Sequence, residues 1–122
     1  MLSTSVKSVL DIQKKRSQRE NELRLKLVGI IKERINNYAR HGQMKCIYKI
    51  PAFVFGHSPY NINEMTEYIF KKLDNEGYYL VLNYDYNLFI SWDVNDIKRS
   101  QRKKEKQRRK MDDLIPLMSL KK

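Results

Sequence analysis

The clearest hydrophobic pattern in the chain is a helical one between Leu23 and Tyr38. Its apolar positions recur at intervals of three and four residues: Leu23, Leu27, Ile30, Ile31, Ile35 and Tyr38, with Val28 beside them. Such spacing places side chains on one face of an α-helix, and Gly42 follows where a glycine commonly ends one. The preceding stretch, Val6 to Arg19, is less regular. The pattern therefore predicts one long N-terminal helix or a helix broken near residues 15–20.

A strand pattern follows between Lys45 and Phe55. Ile47 and Tyr48 favour extended structure, and the apolar character continues to Phe55. Pro51 interrupts this run, and proline has no amide hydrogen to donate to a neighbouring strand. We therefore expect the strand to lie at the edge of a sheet or to break at Pro51.

A second helix is predicted near residues 62–76. Its apolar side chains share one helical face: Ile62, Met65, Ile69 and Leu73. Asn61 or Asn63 can cap its first turn, and Gly77 lies at a natural stop.

Two further strands, Tyr78 to Leu82 and Leu88 to Trp92, are joined by residues 83–87. This spacing predicts a hairpin with a longer loop. We expect the helix near residues 62–76 to cover one face of this sheet, lined by Tyr79, Val81, Leu88, Ile90 and Trp92.

Together these patterns predict an α+β fold. It consists of a small antiparallel sheet of about three strands with one helix packed on it, a long N-terminal helix and a basic C-terminal helix or tail. We expect a basic N-terminal helix over 1–43, a compact α+β core over 44–97 and a basic C-terminal extension over 98–122.

The charge is segregated to the two ends of the chain. The formal net charge is +11, divided as +6 over residues 1–43, −3 over 44–97 and +8 over 98–122. Charge of this kind bears on partners rather than on fold. The basic ends point to an anionic partner, which could be nucleic acid, an acidic protein surface or a lipid headgroup layer.

The strongest functional signal is the stretch 98–110. Nine of its thirteen residues are basic: Lys98, Arg99, Arg102, Lys103, Lys104, Lys106, Arg108, Arg109 and Lys110. It has no apolar stripe, so burial cannot stabilise it, and we expect residues 98–122 to be ordered only with a partner. A solubilising tail and a nuclear address are alternative interpretations. Against nucleic acid it would contact phosphates without choosing a sequence.

Five other residues are candidates for a protein interface. Tyr84 and Tyr86 lie in the hairpin loop, where they could stack on bases, although packing on a protein is the favoured interpretation. An apolar cluster after the basic stretch supplies the others: Leu114, Ile115 and Met118. A return of this cluster onto the domain is the alternative to docking.

The sequence contains no pattern that indicates a catalytic, metal-binding or cofactor-binding site. The single cysteine, Cys46, and two histidines, His41 and His57, form no recognisable nucleophile–base or zinc-binding spacing, and there is no glycine-rich nucleotide motif. We expect no catalytic residues, no metal, no cofactor and no enzymatic activity. With no secretory signal and no apolar run of roughly 20 residues, we also expect no membrane span and an intracellular location.

The central segment contains a set of short motifs. In order they are Tyr48-Lys49-Ile50-Pro51, Gly56-His57-Ser58-Pro59-Tyr60-Asn61-Ile62-Asn63-Glu64, Tyr68-Ile69, Lys72-Leu73, Glu76-Gly77-Tyr78 and Leu88-Phe89-Ile90-Ser91-Trp92. Over residues 45–93 the chain resembles a family of small proteins encoded by large nucleocytoplasmic DNA viruses, such as those of algae and amoebae. The resemblance implies a viral origin and a role in the virion or in viral DNA handling, and it supplies no catalytic residues.

Two functions are therefore expected as alternatives, and the first is favoured. The first is a capsid-associated or minor capsid protein whose basic ends hold acidic virion neighbours, located in the virion and, during infection, in the host cytoplasm or nucleus. The second is a nucleic-acid-binding protein that packs viral DNA or assists transcription. The sequence leaves the oligomeric state open.

Overall fold

The predicted α+β architecture is confirmed. The computed structural model describes the backbone of residues 3–119 and the side chains of residues 3–111. Its elements are α1 (Thr4–Arg40), β1 (Lys45–Lys49), α2 (Ile62–Asn75), β2 (Tyr79–Asn83), a 3₁₀ turn (Tyr84–Tyr86), β3 (Asn87–Ser91) and α3 (Val94–Ser119).

Helix α1 is continuous over 37 residues. The Ser3 hydroxyl accepts a hydrogen bond from the Val6 amide at its start, and Gly42, with a φ of 78°, follows its end. The buried face consists of Leu23, Leu27, Val28, Ile31 and Ile35. Ile30 and Tyr38, which the spacing places on this face, are instead exposed. Val28 is buried because it lies three and seven residues from Ile31 and Ile35, on the same helical rows.

The first four turns of α1 leave the body of the protein. Every residue from Thr4 to Arg19 is exposed, and burial begins at Leu23. We call residues 4–19 the α1 arm. Its helical structure therefore depends on local interactions rather than on packing.

The sheet is antiparallel with strand order β1-β3-β2. Strand β1 is therefore an edge strand, as Pro51 predicts, and it ends at Lys49. The predicted hairpin is confirmed as β2 and β3, in which Tyr79 is opposite Ser91 and Asn83 is opposite Asn87.

Helices α1 and α2 pack on one face of the sheet, which we call the core face. Its strand residues are Cys46, Tyr48, Leu88 and Ile90, all buried, with Leu80 partly buried beside them. The expectation that Tyr79 and Val81 share a face with Leu88 and Ile90 is wrong. The register places Leu80 opposite Ile90, and Val81 opposite Phe89, so Tyr79 and Val81 lie on the other face.

Helix α2 forms nearly as predicted. The Asn61 side chain accepts hydrogen bonds from the amides of Asn63 and Glu64 at 2.9 and 3.2 Å. Met65, Ile69 and Leu73 are buried. The hydrophobic core thus takes side chains from α1 as well as from residues 44–97. Within the described residues, no helix combines the length and apolarity needed to cross a bilayer.

Candidate polyanion-binding surface

The start of α3 is fixed to the end of β3 by a short polar network. The Ser91 hydroxyl, fully buried, donates to Asp96 Oδ2 at 2.8 Å. Asp93 caps the helix by accepting from the Asn95 amide at 2.9 Å. Because Asp96 is also paired with Arg99 at 2.9 Å, the direction in which α3 leaves the sheet is set within its first turn.

One side of α3 faces the body of the protein as far as Lys104. Ile97, Ser100, Gln101 and Lys104 line a small cavity of about 120 Å³ together with residues from the end of α2 and the start of β2. Lys104 Nζ lies 2.7 Å from Asp74 Oδ1 on α2. This side of the helix is therefore the inner side.

Most of the basic residues lie on the opposite side of α3. At about 100° per residue, seven of the nine fall within an arc of about 140° away from the inner side. We call this set the outward face: Lys98, Arg99, Arg102, Lys103, Lys106, Arg109 and Lys110. All seven are exposed. The face runs for about 18 Å along the helix, at 1.5 Å per residue.

Few of these charges are neutralised within the described part of the chain. Arg99 pairs with Asp96, Arg109 with Glu105 at 3.0 Å, and Lys104 with Asp74. The other six basic residues have no carboxylate partner among the described side chains: Lys98, Arg102, Lys103, Lys106, Arg108 and Lys110. Like charges four residues apart on a helix repel one another. Among the described side chains, the outward face therefore carries an excess of positive charge.

The α1 arm is a second basic helical segment. Lys7, Lys14, Lys15, Arg16 and Arg19 are exposed on it, and Arg16 is paired with Glu20 at 3.4 Å. The arm and α3 leave from opposite ends of the core. The root of the arm lines a groove of about 560 Å³ with the loop 56–61 and the first turn of α2. Trp92, just before α3, donates its amide to the Met44 carbonyl near the end of α1.

Of the five predicted interface residues, Tyr84 and Tyr86 have described side chains. Tyr84 is 94% exposed, whereas Tyr86 is partly buried against the core and its hydroxyl donates to Asn63 Oδ1 at 2.7 Å. Both lie at the end of the hairpin remote from α3. Leu114, Ile115 and Met118 belong to the helical backbone of α3, but their side chains lie outside the described residues.

The cysteine and the two histidines have separate surroundings. Cys46 is buried on the core face, and burial raises the pKa of its thiol, with Arg34 acting weakly in the opposite direction. The His41 ring is hydrogen-bonded to the Asn37 carbonyl at 2.7 Å, and His57 Nε2 lies 3.3 Å from Lys26 Nζ. No group of three or more His, Cys, Asp or Glu within the described part of the chain could hold a metal ion.

Comparison with known proteins gives one match. The model of a family of unknown function, DUF5759, matches residues 4–74. The chain belongs to this family. The DUF5759 match covers α1, β1 and α2, and the outward face of α3 lies beyond it. No curated protein matches the chain, and no solved structure matches it. The resemblance to proteins of large DNA viruses stays a prediction, as does the ordering of residues 98–122 by a partner.

Proposed function

We propose that the protein is a non-enzymatic structural component that holds acidic neighbours in an assembly through its two basic helices. The observation that carries this proposal is the placement of exposed positive charge at both ends of a core whose own net charge is −3 over residues 44–97. A protein that joins neighbours needs at least two separated contact surfaces. The α1 arm and the outward face of α3 supply them.

The geometry supports bridging rather than a single contact. Helices α1 and α2 run in the same direction, since Arg24 stacks on Tyr68 and Lys32 pairs with Glu76. The arm leaves beside the first turn of α2, and α3 leaves beside its last turn, where Lys104 contacts Asp74. Arg19 and Arg40 are 21 positions apart on α1, which corresponds to about 30 Å of helix. The two basic surfaces can therefore contact different neighbours at once.

The resemblance to proteins of large nucleocytoplasmic DNA viruses supports a virion as the assembly. In that setting the chain would be a capsid-associated or minor capsid component. Purified particles of the encoding virus should then contain the protein at many copies, measured by quantitative mass spectrometry. Its absence from the particles would contradict this form of the proposal.

Duplex nucleic acid is the second candidate partner. It is favoured by one observation, the alignment of seven cations along one exposed face of α3. Lys and Arg side chains in such a row can contact successive phosphates and release counterions. Binding of this kind would be independent of sequence, because phosphates carry no base information.

A charge-matched pair of variants tests both candidates. In the first, Lys98, Arg102, Lys106 and Lys110 are replaced by Gln. In the second, Lys7, Lys14, Lys15 and Arg19 are replaced by Gln, so both variants lose the same charge. Affinity for duplex DNA and for polyglutamate is measured across a salt series. If α3 contacts phosphates, the slope of log binding constant against log salt concentration on DNA becomes shallower in the first variant, by about 0.9 per contact removed. The same slope changes much less in the second variant.

The outcome for polyglutamate separates the candidates. A structural protein that holds acidic neighbours should bind polyglutamate with both basic segments, so both variants weaken it. A nucleic-acid-binding protein should bind duplex DNA much more tightly than polyglutamate at physiological salt. Unchanged binding of both polymers by the α3 variant would contradict both functions.

A further inference from the structure

The face of the sheet opposite the core carries an apolar row across all three strands. Ile47 is opposite Phe89 in β1 and β3, and Phe89 is opposite Val81 in β2. Tyr79 lies beside this row and makes an edge-to-face contact with Phe89, with ring centroids 6.4 Å apart. We call this surface the outer sheet face. Alternation along each strand keeps these side chains away from α1 and α2.

This row is only partly covered. Ile47 is 55% exposed, and Val81, Phe89 and Tyr79 retain intermediate exposure. None of the four belongs to the hydrophobic core or packs against it. Helix α3 reaches only the end of the face where Tyr79 is opposite Ser91. Two aromatic rings and two aliphatic side chains therefore form a platform that is open to a ligand.

The charge around the platform is positive. Lys45 and Lys49 flank Ile47 on β1 and share its face. No residue of the three strands is acidic. Asp85 forms an ion pair with Lys49 at 2.9 Å. Asp96 accepts a hydrogen bond from Ser91 and pairs with Arg99. Asp93 caps α3 by accepting from the Asn95 amide. The four remaining carboxylates of residues 44–97 belong to α2 and its end: Glu64, Glu67, Asp74 and Glu76.

We propose that the outer sheet face binds single-stranded nucleic acid, with bases stacked on Phe89 and Tyr79 and phosphates held by Lys45 and the first turns of α3. Aromatic rings beside cations suit single strands, whose bases offer π-faces and whose backbone carries the charge. Two strand spacings make the platform about 10 Å wide, which leaves room for two or three bases. This assignment goes beyond the proposed function, because it uses a different surface and a different ligand.

Two other occupants fit the surface less well. A duplex keeps its base faces stacked internally, so it could use the cations but not the rings. A second copy of this chain placed face to face would bring Lys45 and Lys49 of both copies into one interface, where like charges repel. A single-stranded polyanion satisfies both features of the surface.

The test compares two aromatic side chains that differ in location. Phe89→Leu keeps an apolar side chain on the platform but removes the ring. Phe55→Leu makes the same change at a loop residue that is 95% exposed and lies outside the platform. Fluorescence anisotropy measures binding of labelled oligodeoxythymidine and oligouridine, each about 12 nucleotides long, and of a duplex of equal length.

We expect Phe89→Leu to weaken binding of the single strands by about 10-fold and to leave duplex binding unchanged. Phe55→Leu should bind all three probes as the unmodified protein does. Comparison of the thymidine and uridine probes then shows whether DNA or RNA is preferred. Equal single-strand affinity of the Phe89→Leu variant and the unmodified protein would overturn the proposal.

A measurement on the unmodified protein removes any dependence on how the variant folds. Titration with the thymidine oligonucleotide should shift the backbone amide resonances of Ile47, Val81 and Phe89. Shifts confined to α3 would overturn the proposal while leaving the function of α3 intact. Shifts on the platform in the α3 variant that has lost duplex binding would support the proposal independently.

Discussion

Lys104 of α3 reaches back across the end of the sheet to Asp74 of α2, with Nζ 2.7 Å from Oδ1. This contact joins the most basic helix to the acidic helix of the core. It lies at the point where α3 stops lining the cavity beside β2. Beyond this pair, residues 105–111 of α3 are all exposed.

We predict that Lys104→Met loosens the first turns of α3 with little effect on global stability. Partly exposed ion pairs contribute about 0.2–1 kcal/mol, so the free energy of unfolding should fall by no more than that. Hydrogen–deuterium exchange of amides 97–104 should accelerate. Arg109→Met is the matched control, because Glu105 lies on the same helix. Equal exchange rates of residues 97–104 in both variants would show that the Asp74 contact does not hold the helix.

The two halves of α1 should differ sharply in their tolerance of substitution. Ile31 is fully buried, and Ile12 on the α1 arm is 67% exposed. Ile31→Ala should lower the free energy of unfolding by about 2–5 kcal/mol, because it leaves a cavity in the core. Ile12→Ala should change it by less than about 0.5 kcal/mol. Urea unfolding measures both, and a large loss from Ile12→Ala would mean that the arm is packed in solution.

Two glycines give opposite expectations for the same substitution. Gly29 lies inside α1 with open space around an added Cβ, so Gly29→Ala should stabilise the protein by about 0.5–1 kcal/mol. Gly77 follows α2 with a φ of 98°, a backbone conformation that alanine rarely adopts. Gly77→Ala should therefore destabilise the protein, by about 1 kcal/mol. Thermal unfolding of the two variants compares them directly, and a stabilising Gly77→Ala would contradict this account of the turn.

Stability should fall at alkaline pH because of a buried thiol. Burial raises the pKa of Cys46 in the folded state, so the folded protein holds this proton more tightly than the unfolded chain does. The protonated Cys46 thiol makes its full contribution to the free energy of unfolding below the pKa of cysteine in the unfolded chain, about 8.5. This contribution is lost as the pH rises from there through the folded pKa, since the unfolded chain deprotonates first.

Urea unfolding between pH 7 and pH 10, with Cys46→Ala as the control, measures this contribution. The unmodified protein should lose more stability over this range than the variant does. Tyr48 and Tyr60 also have pKa values raised by burial, so a further loss common to both proteins is expected at higher pH. Identical pH profiles would show that the Cys46 thiol is not protected in the folded state.

The elements with one clear apolar face were predictable from sequence. Helix α2 begins at Ile62 as expected, because Asn61 caps it and Met65, Ile69 and Leu73 define its buried side. The hairpin was also predictable from its two apolar runs and the polar residues between them. In these segments local pattern and tertiary packing agree.

The orientation of β2 was not predictable from pattern alone. Tyr79 and Val81 are apolar, and so are Leu80 and Leu82, so alternation does not show which pair is buried. The register depends on the turn, in which Asp85 and Tyr86 both have positive φ values near 60°. Shifting the register by one residue would exchange the two faces.

The candidate surface on α3 was predictable in composition but not in orientation. The nine basic residues are evident in the sequence, yet no apolar stripe indicates which side of the helix faces the core. The inner side is set by Ile97, Gln101 and the contact of Lys104 with Asp74. The outer sheet face had one signal in the sequence, the alternation of Lys45, Ile47 and Lys49, but identifying it required the register.

The strand order β1-β3-β2 also constrains the timing of folding during synthesis. Strand β1 pairs with β3, in which Ser91 is opposite Lys45. The hydrogen bonds of Lys45 to β3 can therefore form only after Ser91 has been synthesised. A nascent chain that has emerged only as far as α2 therefore holds a helix pair and an unpaired strand. The whole hairpin must leave the ribosome before the sheet can close, and until then the edge of β1 that pairs with β3 has no partner strand.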